Sequence, residues 1–415
     1  MNTNFAIRCF CAGLAVLASA SLAFSQETVD SDTFTYNVGE VNWLTGQGVA
    51  LGGILTPSVY TNGTFGVFEP GANPEDFQNG DHDPQNEAGI QGIDIHFGLN
   101  INDVLTGMVT TFLYQAEDHE WQGNLEEAYI HYAIAENLLL GGGQFLNSFG
   151  FQNTLHLHDW AFVNQNLPNA RLLNEGELVT QGGEVVFLTP GNNGRLTIGF
   201  GGVRSHGHGH GHGEEEEEHD EEEHHLEADE AKFNDNVFST NYRFHLPFDP
   251  SIALNGSVAV GENGFGRDTY VYGIGLQKIW NGHDHGAGVP EFCTGALLFR
   301  TELIFRDVNA VDEEDGDTIQ FSDEGISTML QYGICDRANV SFRHDWVSGV
   351  EMAELPDAHR FSPALDLFLG PDGRVRTRFQ YDHIRNDEIG SEHVGWLQIQ
   401  IQWGGEPGSH VGHLH

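Results

Sequence analysis

The chain has 415 residues, 61 of them Asp or Glu against 17 Lys or Arg, for a formal charge of −44. Such a surplus of negative charge excludes nucleic acid as a partner, because phosphates are repelled, and it draws cations to the surface. The length allows one large core or barrel, and a mean hydropathy below zero suits either a soluble protein or strands that meet lipid only at every second residue.

Residues 1–25 have the build of a signal peptide. Arg8 gives a positive start, Phe10 to Phe24 is apolar and Ala-rich, and Ala23-Phe24-Ser25 offers small residues for cleavage. The stretch is too short for a spanning helix. A mature chain is expected from about Gln26, with a short N-terminal segment at 26–44. Cys9 and Cys11 would leave with the leader. Cys293 and Cys335 remain, and export permits a disulfide between them. Their predicted places at adjacent strand ends favour pairing, but alternation turns Cys335 inward and Cys293 outward. A bulge near Gly295 would reconcile the two, so the sequence leaves the bridge open.

From residue 45 onward, segments of about ten residues alternate apolar with polar between turn signals. Strands are predicted near 49–60, 89–100, 105–115, 125–134, 137–145, 177–189, 195–203, 236–246, 251–260, 269–280, 293–306, 323–335, 339–347, 359–369, 374–384 and 393–403. The last is the clearest: Leu397, Ile399, Ile401 and Trp403 share one face, and Gln398, Gln400 and Gln402 the other. Inferred outer faces such as Tyr270, Tyr272, Ile274, Leu276 and Trp280 suit lipid contact.

Connections are predicted to alternate in length. Tight ones include Asn102-Asp103, Phe248-Asp249-Pro250 and Asp336-Arg337-Ala338; long ones fall at 61–88, 116–124, 146–176, 204–235, 261–268, 307–322, 348–358 and 385–392. The 281–292 segment is a longer connection on the tight-turn side. The fold class is therefore all-β: a transmembrane antiparallel barrel over 45–403, of about sixteen strands, with short periplasmic turns, long extracellular loops and a tail at 404–415. A large soluble β-sandwich or β-helix is the alternative, without that alternation of loop length.

Three constellations carry chemistry. The connection 146–176 contains Leu155-His156-Leu157-His158-Asp159-Trp160 and is too apolar for a solvated loop. Folded back into the barrel it would narrow a pore, and His156 and His158 would either bind a metal or simply pack. Residues 205–229 hold seven His, namely His206, His208, His210, His212, His219, His224 and His225, among runs of Glu. Imidazole with flanking carboxylates suits zinc, copper or nickel; the plainer reading is a solvated, repulsive extracellular loop that is disordered without ligand. The third is an inner wall of Arg300, Glu302, Arg306, Arg343, Asp345, Arg374, Arg376, Arg378 and Asp382. Facing lipid these would be costly, so they either line a polar pore with a transverse field or form a paired network that stiffens a narrow barrel. The tail adds His410, His413 and His415 after Trp403, so the chain does not end on a strand-closing aromatic.

Enzymatic signatures are missing: there is no Gly-x-Ser-x-Gly elbow, phosphate loop or His-Glu-x-x-His, so no catalytic residue is assigned. The strand grammar, leader and Arg-lined wall resemble bacterial outer-membrane porins over about residues 45 to 403. The His-Leu-His-Asp-Trp loop and His-rich insert are similar to those of porins associated with zinc supply. The porin resemblance implies passive passage of small hydrophilic solutes or ions through the cell outer membrane, often as a homotrimer. Its partners would be outer-membrane lipid, the solute and metal ions, with no cofactor required beyond weakly bound zinc or another divalent metal. A non-conducting metal-binding or structural barrel and a barrel hydrolase are the other readings.

Overall fold

A computed structural model of the protein describes residues 55–72, 77, 80, 82–101, 104–116, 119–174, 176–189, 193–204, 226, 228–281, 294–311, 318–369, 374–387 and 390–404. The leader, the N-terminal segment, residues 49–54 of the first predicted strand, Cys293, the seven-His stretch and the tail histidines lie outside the described residues.

Sixteen strands follow in chain order: β1 (Leu55–Phe68), β2 (Ala88–Ile101), β3 (Leu105–Gln115), β4 (Trp121–Ala135), β5 (Leu138–Leu146), β6 (Val179–Leu188), β7 (Gly194–Val203), β8 (Phe233–Leu246), β9 (Asp249–Asn263), β10 (Asp268–Trp280), β11 (Leu297–Val311), β12 (Thr318–Cys335), β13 (Ala338–Val347), β14 (Ala358–Leu369), β15 (Val375–Asn386) and β16 (Gly390–Gly404). Each pairs with its sequence neighbour, and β1 pairs with β16, so the sheet is a closed barrel. Every pairing is antiparallel. Closure leaves no unpaired strand edge, the condition for β-structure in lipid. Among the described residues no helix is long and apolar enough to cross a membrane.

The period of two decides what faces where. On β11, Leu298, Arg300, Glu302, Ile304, Arg306, Val308 and Ala310 are buried inside, and the residues between them face out. Large apolar side chains cover the outside, among them Phe238, Ile274, Trp280, Phe342, Phe379 and Trp403. On β16 Gln398 and Gln400 are buried while Ile399 and Trp403 are exposed.

Several strands run further than the sequence predicts. β11 and β12 extend to Val311 and from Thr318, absorbing most of the predicted loop 307–322. Polar residues there look like a loop but pair across the ladder: Ser322 donates to Asp307 at 2.6 Å and Gln320 to Asn309 at 2.7 Å. Likewise 261–268 contracts to the residues between Asn263 and Asp268, and 385–392 to those between Asn386 and Gly390. Loop length therefore alternates less regularly than predicted.

Cys335 ends β12 as an exposed free thiol. On the β13 side the register shifts between Gly333 and Cys335. On the β11 side Gly295, with φ of +86°, donates its N–H to Gly333 at 2.8 Å, and Gly333 donates to Ala296 at 2.9 Å, so two residues oppose one as in a glycine bulge.

The segment between β5 and β6 fills the interior. It carries a 3-10 turn at Leu157–Asp159 and a short α-helix, α1 (Leu167–Leu172), which packs against β11, β12 and β13. Asn166 caps α1 by accepting the Asn169 N–H at 2.8 Å, and Pro168 sits in its first turn, where a missing donor costs nothing. Phe149, Leu172, Leu173 and Leu178 form a core with Phe233, Val271 and Ile304 of the wall. Leu155, Leu157 and Trp160 form another with Phe112 and Tyr114 of β3. Each such fully buried side chain stabilises by about 1.5–3 kcal/mol, enough in sum to fix the segment in place.

Candidate functional site

The inward segment 147–178 enters through a left-handed backbone turn at a glycine. Gly150 has φ of +63°, and a Cβ there would collide with the Glu302 carboxylate. Its N–H donates to Ser257 Oγ at 2.9 Å, and the next N–H, of Phe151, donates to Glu302 at 3.0 Å. The Phe151 ring rests on Gly275 of β10, with the guanidinium groups of Arg243 and Arg300 at 4.9 and 5.5 Å from its centroid.

A segment without regular structure inside a barrel has carbonyls to satisfy, and wall arginines satisfy them. Arg243 donates to Gly150 O at 3.2 Å and Arg306 to Arg171 O at 3.2 Å. Arg343 donates to Asn164 O at 2.8 Å and to its side-chain oxygen at 2.7 Å. Arg376 reaches Trp160 O at 3.2 Å and His158 O at 3.1 Å, and Arg378 reaches Trp160 O at 2.9 Å. Arg360 donates to Gln165 O. Four of these heads are also paired with wall carboxylates: Arg306 with Asp323 at 2.6 Å, Arg343 and Arg360 with Asp345 at 3.0 and 3.1 Å, Arg378 with Asp366 at 2.7 Å. Those four charges are thus compensated where they are buried.

The opposite wall is acidic and imidazole-rich. Glu177, His82, Glu126, His156 and Glu127 alternate in a chain. His82 lies 3.0 Å from Glu177 by Nδ1 and 2.9 Å from Glu126 by Nε2; His156 lies 3.1 Å from Glu126 by Nδ1 and 2.9 Å from Glu127 by Nε2. A neutral imidazole donates from one nitrogen only, so both rings are suited to the imidazolium form. Burial alone would lower the His82 pKa, but Glu177 and Glu126 outweigh it and hold it well above the usual range. His156 is likewise raised, against burial, by Glu126 and Glu127. Burial pushes the Glu177 carboxyl up, with His82 pulling the other way. Beside this chain Asp94 and His96 of β2 meet His158, whose Nδ1 is 3.2 Å from Asp94.

Two consecutive glutamates both face inward because β4 carries a bulge. The β3–β4 register passes from Thr110 opposite Glu127 to Thr111 opposite Leu125, which leaves Glu126 as the extra residue.

The structure places Arg300, Glu302, Arg306, Arg343, Asp345, Arg376, Arg378 and Asp382 on the inner face, and it lays the inward segment over them. Arg374, just before β15, instead donates to Gly404 O at 2.8 Å at the strand end. The imidazoles of His156 and His158 are buried against β2 and β4, while the His158 carbonyl accepts from Arg376. Sequence reasoning missed Arg360, Asp366 and the partners His82, Asp94, His96, Glu126, Glu127 and Glu177. A signal for Asp94 and His96 was present, since Ile93-Asp94-Ile95-His96-Phe97 puts both on the polar face.

Solved structures share this architecture. The outer membrane channel DcaP of Acinetobacter baumannii matches with a TM-score of 0.53 at 11% identity, over 84% of this chain and 96% of its own. OmpF of Salmonella typhi, solved with daunomycin, matches with a TM-score of 0.50 at 12% identity over 84% and 97%. OmpT of Vibrio cholerae matches with a TM-score of 0.50 at 8% identity over the same shares. The fold is that of the outer-membrane porins. No family model matches the chain, and no curated protein matches it.

Sixteen strands suffice for an aqueous channel, so within this porin fold the inward segment decides what space is left. Between it and the wall lies a cavity of ≈ 80 Å³ whose lining includes Asp159, Trp160, Arg300, Glu302, Arg343 and Arg376. Chemically, the arrangement offers a narrow polar space beside fixed guanidinium groups on one side, and a buried set of imidazoles and carboxylates on the other.

Proposed function

We propose that this protein is an outer-membrane channel of porin type for small hydrophilic solutes or ions, with segment 147–178 setting the width of the passage. The observation that carries this reading is a closed sixteen-strand cylinder, apolar outside and charged within, narrowed by its own folded-in loop. The leader at 1–25 would export the chain, and residues 205–229 would lie outside the cell, where their histidines and glutamates concentrate divalent cations such as zinc. A homotrimer, the assembly the porin resemblance implies, belongs to the same proposal and would be read from the mass of the detergent complex. The arginines oppose bare cations at short range, so small anions or metal chelates would pass more readily.

Planar bilayers test this. Reversal potentials in a zinc salt gradient, with and without residues 205–229, should show a channel in both cases and less zinc current after the deletion. An unchanged zinc current would remove the metal-gathering role and leave an ordinary narrow channel. A second reading, a non-conducting barrel, is favoured by one observation: Arg306, Arg360 and Arg378 are each at most 2% exposed beneath the segment. It predicts no current at all.

A further inference from the structure

We infer that Asp94, His96 and His158 form a binding site for one divalent transition metal of zinc type, which clasps the inward segment to the barrel wall. Asp94 and His96 are two apart on β2, so the strand period sets both on the inner face. His158 comes from the inward segment. The ligand atoms of the three lie within 4.8 Å of one another. Zinc with bonds of ~2.0–2.2 Å spaces tetrahedral ligands at roughly 3.4 Å, a contraction that small side-chain rotations supply.

A separate observation points to a cation. Asp94 is fully buried, and its Oδ1 meets no hydrogen-bond donor. A buried carboxylate oxygen left without a donor is costly, and among the described residues no Lys or Arg pairs with Asp94. A metal ion between Asp94 and the two imidazoles satisfies that oxygen. The surroundings hold the ligands as a metal site requires. Thr110 Oγ1 is 3.0 Å from His96 Nδ1, and the Tyr60 ring stacks on His158 with centroids 3.8 Å apart.

Two imidazoles and one carboxylate favour zinc, cobalt or nickel over magnesium or calcium. His158, the most exposed of the three, is 6% exposed, so the site is shielded from bulk water, and its three protein ligands leave the fourth position to a water molecule. The group His82, Glu126 and Glu177 has the same spacing. It is not part of the clasp, because His82 bridges its two carboxylates through both ring nitrogens and so meets their charge without an ion. The clasp stands whether or not the barrel conducts.

The test uses full-length protein folded in detergent, with the seven histidines from His206 to His225 changed to asparagine so that they do not confuse the count. After loading with zinc sulfate and dialysis against a weak chelator, one zinc per chain should remain. It should fall at least tenfold in His96→Gln and in Asp94→Asn, and stay in His82→Gln. X-ray absorption on the parent should show two imidazoles among nitrogen and oxygen neighbours, and this arm decides if the variants fail to fold. No retained zinc in the parent, retention unchanged in His96→Gln, or a first shell without imidazole would each overturn the clasp.

Discussion

The Arg378 guanidinium donates at 2.9 Å to the backbone carbonyl of Trp160 and pairs at 2.7 Å with Asp366. One fully buried cation thus neutralises the wall and satisfies the segment that narrows the barrel. Its neighbours Arg343 and Arg360, both paired with Asp345, repeat the arrangement on Asn164 and Gln165, and Arg376 adds a bond to His158 O. The positive wall works here as a set of anchors for the constriction.

Arg378→Gln leaves Asp366 buried without its cation, which costs about 3–5 kcal/mol. Heat-modifiable migration on gels should occur at a lower temperature than in the parent. Changing the pair together, Arg378→Met with Asp366→Leu, should recover most of that stability. It should not restore the bond to Trp160, so channel noise should exceed the parent's in both variants. Full recovery of both would show that the anchor bond is irrelevant.

Gly275 is needed for space. A Cβ there would approach the Phe151 ring to 2.5 Å, and overpacking of this kind costs about 1–3 kcal/mol. Gly275→Val should lower the thermal transition in micelles, whereas Gly256→Val, at a position with nothing within 4 Å of an added Cβ, should leave it nearly unchanged. Equal effects at the two sites would contradict the packing of Phe151 on β10.

His82 gives a pH dependence. Its folded-state pKa is raised above the unfolded value of about 6.5. Its contacts with Glu126 and Glu177 therefore stabilise fully below about pH 6.5 and fade as pH rises through the folded value. The unfolding temperature in micelles should drop on the alkaline side, and the drop should be smaller in His82→Gln. Parallel profiles for parent and variant would remove His82 from this role.

The barrel was legible because lipid imposes a rule at every second residue. β16 shows it in Leu397, Ile399, Ile401 and Trp403 and β11 in Leu297, Phe299, Leu303 and Phe305, and all sixteen strands were found in order. The fold-back of the loop was legible too, since Leu155, Leu157 and Trp160 are too apolar for water. The partners of the arginines were not. Arg378 and Trp160 are 218 positions apart, and no local pattern links them. The pair Glu126-Glu127 defeats alternation until the register skip opposite Thr110 and Thr111 is known. Polar strand ends such as Asp307 and Gln320 looked like loop because their partners are cross-strand side chains.

Swelling of protein-loaded liposomes in a series of uncharged solutes tests the central claim most directly, because it measures the passage itself. The parent should admit the smallest polyols and exclude disaccharides, and the double variant Arg343→Gln with Arg378→Gln should move that cut-off upward. Disaccharide entry into the parent as fast as glycerol, or no entry of any solute in parent and variant alike, would contradict a channel narrowed by residues 147–178.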